Sequence, residues 1–203
     1  EKLSNFFFLD RYLNKNGITG KNQIISILDS PLDFYHSMFY DSTVQVKLNT
    51  YMPNHRKIVY YNFPGNLNDL MNSITENEHG THVAGTAAGK SICSNDDKDT
   101  SYFNGNAPDA KILFAGNFST VTTNELQQLM NNYNSKISSN SWSTIGPYNL
   151  RNYQYGHLAE LNPNLTFIFA AGNDYMTNGN FSIYDPSSSK NILTVGSLDN
   201  FYT

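Results

Sequence analysis

Short apolar runs alternate with helical patterns along most of the chain, and this alternation limits the fold more than any other feature of the sequence. Helical patterns lie at 79–89, 122–130 and 150–161. Because parallel strands need such crossover helices between them, the sequence predicts an α/β fold in which helices cover both faces of a mainly parallel sheet. The predicted strands are rich in β-branched or aromatic residues and lie at 23–28, 110–115, 136–142, 165–171 and 192–195.

Two further segments, 44–48 and 57–61, alternate between apolar and polar residues and are rich in strand formers. A Pro-Asn pair lies between them and is typical of a turn, so we expect a hairpin there. The following segment, 64–78, begins with Pro-Gly and is mainly polar, and we expect it to be a long loop.

Length and charge bound the classes of protein to which the chain can belong. With 203 residues, of which 39% are hydrophobic, residues 1–203 are long enough for one sizeable core, and we expect them to belong to a single domain. The net charge is −4 and the Lys and Arg residues do not cluster, which argues against a nucleic-acid partner. No apolar run approaches the ~20 residues that cross a bilayer, so no membrane segment is predicted in this chain.

The location of the protein stays open on the sequence alone. Sequons at Asn117, Asn164 and Asn180 favour a secreted or lumenal protein, although so Asn-rich a sequence also produces sequons by chance. The single cysteine, Cys93, cannot form an internal disulfide and lies in a polar stretch, so we expect a bystander thiol.

Several candidate residues have an ordinary structural explanation when each is taken alone. Asp29 follows a predicted strand, where an aspartate is typical of a turn. His79 and His82 are three residues apart on a predicted helix and could form a metal pair with Glu76 or Glu78. A zinc peptidase helix instead carries His-Glu-x-x-His, and neither that glutamate nor that spacing is present. We therefore assign no metal to this pair.

In combination these residues resemble the subtilisin-like serine peptidases. Residues 79–86, His-Gly-Thr-His-Val-Ala-Gly-Thr, match that family's histidine motif, and the strand 23–28 with Asp29 resembles its first strand and catalytic aspartate. Residues 169–173, Phe-Ala-Ala-Gly-Asn, resemble its oxyanion segment. Residues 139–143, Ser-Asn-Ser-Trp-Ser, resemble its substrate-lining strand, in a wording similar to an alkaline-protease branch of the family.

The resemblance implies a three-layer subtilisin-like fold that ends here before its C-terminal elements, and it implies serine endopeptidase chemistry. His79 would be the general base, because an imidazole accepts and returns a proton near neutral pH. Asp29 would hold the imidazole tautomer and stabilise the imidazolium that forms. Asn173 would donate its side-chain amide to the oxyanion.

The same resemblance gives the substrate class as a polypeptide. An extended substrate would pair as an added strand with Ser141, Trp142 and Ser143. His82 would pack within the helix interface. The facing wall of the first specificity pocket would be formed by three small residues: Ala170, Ala171 and Gly172.

The resemblance implies no cofactor, although calcium is possible. Members of the family often bind calcium, but the resemblance assigns no site for it here. An acidic run of this kind is more often simply solvated, so we assign no metal to Asp96, Asp97 and Asp99.

Two positions depart from the family's pattern. Pro31 stands where the family has glycine, which fixes φ near −65° and removes a backbone N–H close to Asp29. Ser143 also replaces a glycine, and its side chain would crowd the pocket or shift the substrate strand. These departures predict a weaker orientation of the Asp29 carboxylate and a side-chain specificity that differs from that of the family.

The sequence contains neither a Gly-Thr-Ser-x-Ala nor a Gly-x-Ser-x-Gly motif for the nucleophile. The first hypothesis is that residues 1–203 are the N-terminal and central part of a peptidase catalytic domain. A downstream segment of the same or an associated polypeptide would then supply the serine. The alternative is a catalytically inactive pseudo-peptidase that acts as a protein-binding module, in which Pro31 and the absent serine mark lost catalysis.

Overall fold

The computed structural model describes residues 12–92, 103–117, 119–144, 148–180 and 182–197. Cys93 and the acidic run at 96–99 lie outside these residues. The described strands are β1 Ile24–Leu28, β2 Ile58–Asn62, β3 Lys111–Ala115, β4 Ile137–Asn140, β5 Thr166–Ala170 and β6 Leu193–Val195. They form one parallel sheet in the order β2-β3-β1-β4-β5-β6.

Helices cover both faces of this sheet, which confirms the predicted three-layer α/β architecture. One apolar core lies on the side of the helices at 67–76 and 79–88 and contains Leu70 and Ala84. The other lies on the side of the helices at 123–132 and 150–161 and contains Leu126 and Leu158. The helices are α1 Leu67–Glu76, α2 His79–Ala88, α3 Thr123–Asn132, α4 Leu150–Leu161 and the short α5 Tyr175–Asn178.

Strand β1 is the centre of the sheet. It pairs with β3 on one side, with Ile25 opposite Ile112, and with β4 on the other side, with Ile25 opposite Ile137. A central strand is buried on both faces, which explains why its sequence, Ile-Ile-Ser-Ile-Leu, is almost continuously apolar. The carboxyl ends of β1, β4 and β5 therefore lie at the same edge of the sheet.

The hairpin predicted from 44–48 and 57–61 is wrong. The structure has no strand at 44–48, and β2 pairs in parallel with β3. Only two backbone hydrogen bonds link β2 to the preceding segment, from Asn49 N–H to the Tyr61 carbonyl and from Met52 N–H to the Val59 carbonyl. Pairing with a strand about fifty residues further along prevails, because it buries β2 against the apolar core of the sheet.

The loop predicted at 64–78 is also wrong over most of its length, because α1 occupies this segment. The Asn66 side chain accepts hydrogen bonds from the N–H groups of Asn68 and Asp69, and the Asp69 carboxylate accepts one from the Asn66 N–H. This reciprocal capping box starts the helix, and Leu70 and Ile74 turn its apolar stripe toward the core. A helix whose outer face is polar is easily taken for a loop.

A buried histidine fixes the turn that precedes β2. His55 is 1% exposed, and its Nδ1 accepts hydrogen bonds from the N–H groups of Lys57 and Ile58 at 3.0 and 2.8 Å. Burial is the main cause that lowers the pKa of His55, from 6.5 to about 4. Protonation of Nδ1 would also remove the acceptor for both N–H groups, so the folded protein requires the neutral imidazole.

We expect His55 to make the protein less stable in mild acid. A histidine whose folded pKa lies below its unfolded value contributes stability above the unfolded pKa, and this stability is lost as the pH falls from about 6.5 toward about 4. The variant His55→Asn keeps a hydrogen-bond acceptor but does not titrate. Urea unfolding should show that, between pH 7 and pH 4.5, the free energy of unfolding of the wild type falls by about 2 kcal/mol more than that of the variant. Equal losses would contradict this role.

Candidate active site

Asp29 lies directly after β1, at the carboxyl edge of the sheet. Its backbone N–H donates to the Ala115 carbonyl at 3.1 Å, which continues the pairing with β3, and its side chain is buried. Its Oδ1 accepts a hydrogen bond from the Ser30 backbone N–H at 2.7 Å, and the Ser30 Oγ lies 3.3 Å from the same oxygen. Burial raises the pKa of Asp29, although its hydrogen bonds with His79 and Ser30 act in the opposite direction.

His79 is the first residue of α2, and its Nδ1 lies 2.6 Å from Asp29 Oδ1. A carboxylate can only accept, so Nδ1 carries the hydrogen and Nε2 is left as a base. The His79 side chain is 53% exposed while that of Asp29 is 3% exposed. The pair therefore consists of a buried carboxylate that orients an imidazole whose other nitrogen is accessible.

A close contact between Ser30, after β1, and Gly80, in α2, holds this pair together, and we call it the joint. The Ser30 Oγ accepts a hydrogen bond from the Gly80 N–H at 2.8 Å, and it donates to Asn77 Oδ1 at 3.1 Å. Asn77 Oδ1 also accepts from the His79 N–H at 3.0 Å. A Cβ on Gly80 would lie 1.8 Å from the Ser30 carbonyl oxygen, so only glycine permits this approach.

Sequence reasoning did not identify Ser30 and Asn77 as parts of the site. A signal for Asn77 was present, because an asparagine two residues before a helical residue commonly accepts from that residue's N–H. Ser30 had no comparable signal, since its two partners are Gly80 and Asn77, which lie about fifty residues further along the chain.

The structure places the other predicted site residues at the same sheet edge. Asn173 is exposed and follows β5, and Gly172 before it has a φ of +109°, which glycine tolerates. Two strand spacings separate the ends of β1 and β5, or roughly 10 Å. The Ala170 carbonyl accepts from the Ser187 Oγ at 2.6 Å, and the Ala171 N–H donates to the Val195 carbonyl at 2.8 Å.

The segment predicted to line the substrate lies just beyond β4. This strand ends at Asn140, earlier than predicted, and pairing resumes at Thr144 in an isolated antiparallel bridge with Asp185. The Trp142 ring packs in the core against Phe169, with centroids 5.3 Å apart in an edge-to-face arrangement. The Trp142 side chain therefore anchors the segment, and Ser141 and Ser143 beside it are partly exposed.

Pro31 leaves the orientation of the Asp29 carboxylate to neighbouring residues. The donors to Asp29 Oδ1 come from Ser30 and His79, whereas Oδ2 is buried and has no hydrogen-bond partner in the described part of the chain. Pro31 has no N–H and donates nothing to this oxygen. One carboxylate oxygen thus holds the imidazole without support from the other.

The prediction that His82 packs within a helix interface is wrong, because His82 is exposed. It lies three residues after His79 on α2, where the helix faces a groove rather than the sheet. In the described residues, no group of three or more His, Cys, Asp or Glu side chains is arranged to hold a metal ion. Within the same residues, no helix has the length and apolar character needed to cross a membrane.

A model of the subtilase family matches residues 20–201 of this sequence. The chain belongs to the subtilase family. Two serine protease/ABC transporter B family proteins of Dictyostelium discoideum are similar to it: tagD is 33% identical over 199 residues and tagA 31% over 198 residues. These matches cover 88% and 89% of this chain but 10% of each relative, so the chain spans about a tenth of their length.

Solved subtilisin-like proteases share the fold. The psychrophilic protease Apa1 from Pseudoalteromonas sp. AS-11 has a TM-score of 0.59 at 20% identity, over 94% of this chain and 40% of that chain. The prenylagaramide maturation protease PagA has a TM-score of 0.60 at 19% identity, over 94% of this chain and 58% of that chain. The described residues thus share the subtilisin-like fold, with the three-layer architecture predicted from the sequence.

Two glycines of α2 give a matched test of the joint. We expect Gly80→Ala to lower the free energy of unfolding by about 3 kcal/mol, because its methyl group overlaps the Ser30 carbonyl. Gly85→Ala should instead raise it by about 0.5–1 kcal/mol, because its Cβ meets nothing within 4 Å and alanine favours a helix. Chemical denaturation of both variants measures the difference. Similar effects of the two substitutions would show that the close approach is absent.

Proposed function

We propose that this chain contributes the base, its orienting carboxylate and the oxyanion donor of a serine endopeptidase. The nucleophilic serine comes from a segment outside the described residues. The observation that carries the proposal is the 2.6 Å contact between His79 Nδ1 and Asp29 Oδ1, together with the exposure of the His79 ring. A buried carboxylate behind an accessible imidazole is the arrangement that activates a hydroxyl.

The chemistry follows from the different roles of the two imidazole nitrogens. His79 Nε2 takes the proton of the serine hydroxyl as the serine oxygen attacks the carbonyl carbon of the peptide. His79 then returns this proton to the leaving amine. The C–N bond breaks as the amine leaves, and the acyl group stays on the serine as an ester. His79 then takes a proton from water as the water oxygen attacks this ester, and it returns that proton to the serine oxygen as the acid product leaves. Asp29 keeps Nδ1 protonated and stabilises the imidazolium that exists between the two transfers, and no cofactor takes part in this proposal.

The sheet edge supplies the remaining functions in this proposal. The Asn173 side-chain amide donates to the oxyanion, and its position after β5 supports this role. A polypeptide substrate pairs with the segment 141–143, which lies between the end of β4 and the bridge at Thr144. Ala170, Ala171 and Gly172 form the facing wall of the first specificity pocket. We also propose that this Asn-Ser-Trp segment places the chain near an alkaline-protease branch.

An inactive protein-binding module is the second candidate function. Pro31 favours it, since the Asp29 Oδ2 beside it has no hydrogen-bond partner in the described residues. In this case the sheet edge still binds a polypeptide, but no serine is activated. Reaction with a serine-directed probe separates the two candidates.

A fluorophosphonate probe should label the longer polypeptide that carries the downstream segment, because the probe reacts with activated serines. His79→Ala should lower the labelling rate by about 10³ or more, since the base is lost. The 203-residue chain by itself should not be labelled. Intact mass spectrometry and gel fluorescence measure the reaction. Absence of labelling in a folded longer polypeptide would favour the inactive module.

The variant Asp29→Asn should separate catalysis from stability. Loss of the orienting carboxylate should lower kcat of the complete enzyme by about 10⁴. Because burial raises the pKa of Asp29, its contribution to stability falls as the pH rises through the folded pKa. The variant should therefore be at least as stable as the wild type at pH 7, measured by urea unfolding. A large loss of stability would mean that the carboxylate holds the joint rather than the imidazole.

A further inference from the structure

A groove lies along the face of α2 that points away from the sheet. We call it the α2 groove; its volume is about 630 Å³. One wall is Glu78 with the stripe of α2 that carries His82 and Gly85, a second wall is the loop 33–39, and the third is the segment 103–106. This volume is typical of binding sites for small organic groups or for one or two side chains of a peptide.

Hydrogen bonds fix the loop 33–39 in place. The Arg56 guanidinium donates to the carbonyls of Ser37, at 2.8 Å, and of Tyr40, and it reaches the Lys90 carbonyl at 3.0 Å. The Asp33 N–H donates to Thr81 Oγ1 at 2.8 Å, which ties the loop to α2. A ligand therefore does not have to order this wall when it binds.

The third wall is tied to the end of α2. The Gly105 N–H donates to the Gly89 carbonyl at 2.8 Å, and the Asn106 N–H donates to the Thr86 carbonyl at 2.9 Å. All three walls are thus held by hydrogen bonds within the chain, and the groove exists before any ligand arrives.

The chemistry of the walls favours a cation with an apolar body. Phe39 and Ile74 are buried beneath the groove, and Phe103 at its rim is 75% exposed. The charged side chains of the described lining are the carboxylates Asp33 and Glu78, and this lining contains no lysine or arginine. An alkyl stem can lie on the apolar surface while its charged head meets the carboxylates.

We propose that the α2 groove binds a lysine or arginine side chain of a polypeptide, together with an apolar side chain next to it. The choice of a polypeptide rests on the proposed function, because a peptidase encounters extended chains. The binding itself requires neither the serine nor the imidazole. Glu78 precedes His79 in the chain, so a polypeptide held here lies next to the base without occupying it.

Gly85 keeps the groove open. A Cβ at this position would meet nothing within 4 Å, although the residue is inside a helix where alanine is more stable. A larger side chain can therefore fill the groove without displacing its walls. The leucine of Gly85→Leu should therefore fill the groove and block binding. Glu78→Gln removes one negative charge at a position whose side chain makes no capping hydrogen bond.

Calorimetry with blocked tripeptides tests the proposal on the 203-residue chain. Acetyl-Leu-Arg-Phe-amide should bind at least ten times more tightly than acetyl-Leu-Gln-Phe-amide, and high salt should narrow this difference. Glu78→Gln should weaken binding of the arginine peptide about tenfold, and Gly85→Leu should abolish it. The matched controls are Glu160→Gln and Gln128→Leu, which introduce the same two residues, glutamine and leucine, at exposed positions of α4 and α3.

Equal affinity for the two peptides, or equal effects of the groove variants and their controls, would overturn the proposal. Urea unfolding of each variant shows whether it is folded. Fluorophosphonate labelling of the longer polypeptide is measured separately. If the arginine peptide binds but the longer polypeptide is never labelled, the groove proposal is supported and the endopeptidase proposal is refuted. If the longer polypeptide is labelled but the arginine peptide does not bind selectively, only the groove proposal is refuted.

Discussion

The close approach of α2 to the end of β1 is the contact on which the rest of the site depends. At Gly80 the helix backbone touches the Ser30 carbonyl with no room for a methyl group, and the Ser30 hydroxyl fills the space between them with two hydrogen bonds. This joint sets the position of His79 relative to Asp29 because each is the immediate chain neighbour of a residue in the joint. Steric exclusion and hydrogen bonding thus act together, and neither alone would place an imidazole 2.6 Å from a carboxylate.

The three layers divide the proposed chemistry between them. The imidazole belongs to a helix that packs on one face of the sheet, whereas Asn173 and the segment 141–143 follow strands of the sheet itself. Only the carboxyl edge of a parallel sheet brings such elements together, since every strand ends there and every crossover helix begins near it. The Trp142 ring, buried against Phe169, ties this edge to the second core.

The sequence predicted the elements whose signal is local, and it failed where distant residues decide. Helix α4 was predicted to the residue, because its caps and its apolar positions are contained in one segment. The pairing of β2 with β3 instead depends on a partner about fifty residues away, so a nearby turn suggested the wrong hairpin. In the site, motif resemblance pointed to Asp29 and His79 but could not reveal Ser30 as their link, nor the exposure of His82. Both depend on which surfaces meet after folding.

The central position of β1 has a consequence for the order in which the protein assembles. This strand precedes the other described strands in the chain, yet its two neighbours, β3 and β4, follow about ninety and about one hundred and ten residues later. Such non-local parallel pairing is slow, because a long loop must close before any hydrogen bond is gained. The ring of Phe114 in β3 also lies against Gly80, so α2 lacks one of its packing partners until β3 has been synthesised. A nascent chain therefore carries Asp29 and His79 well before β3 and β4 complete the packing that holds the two side chains together.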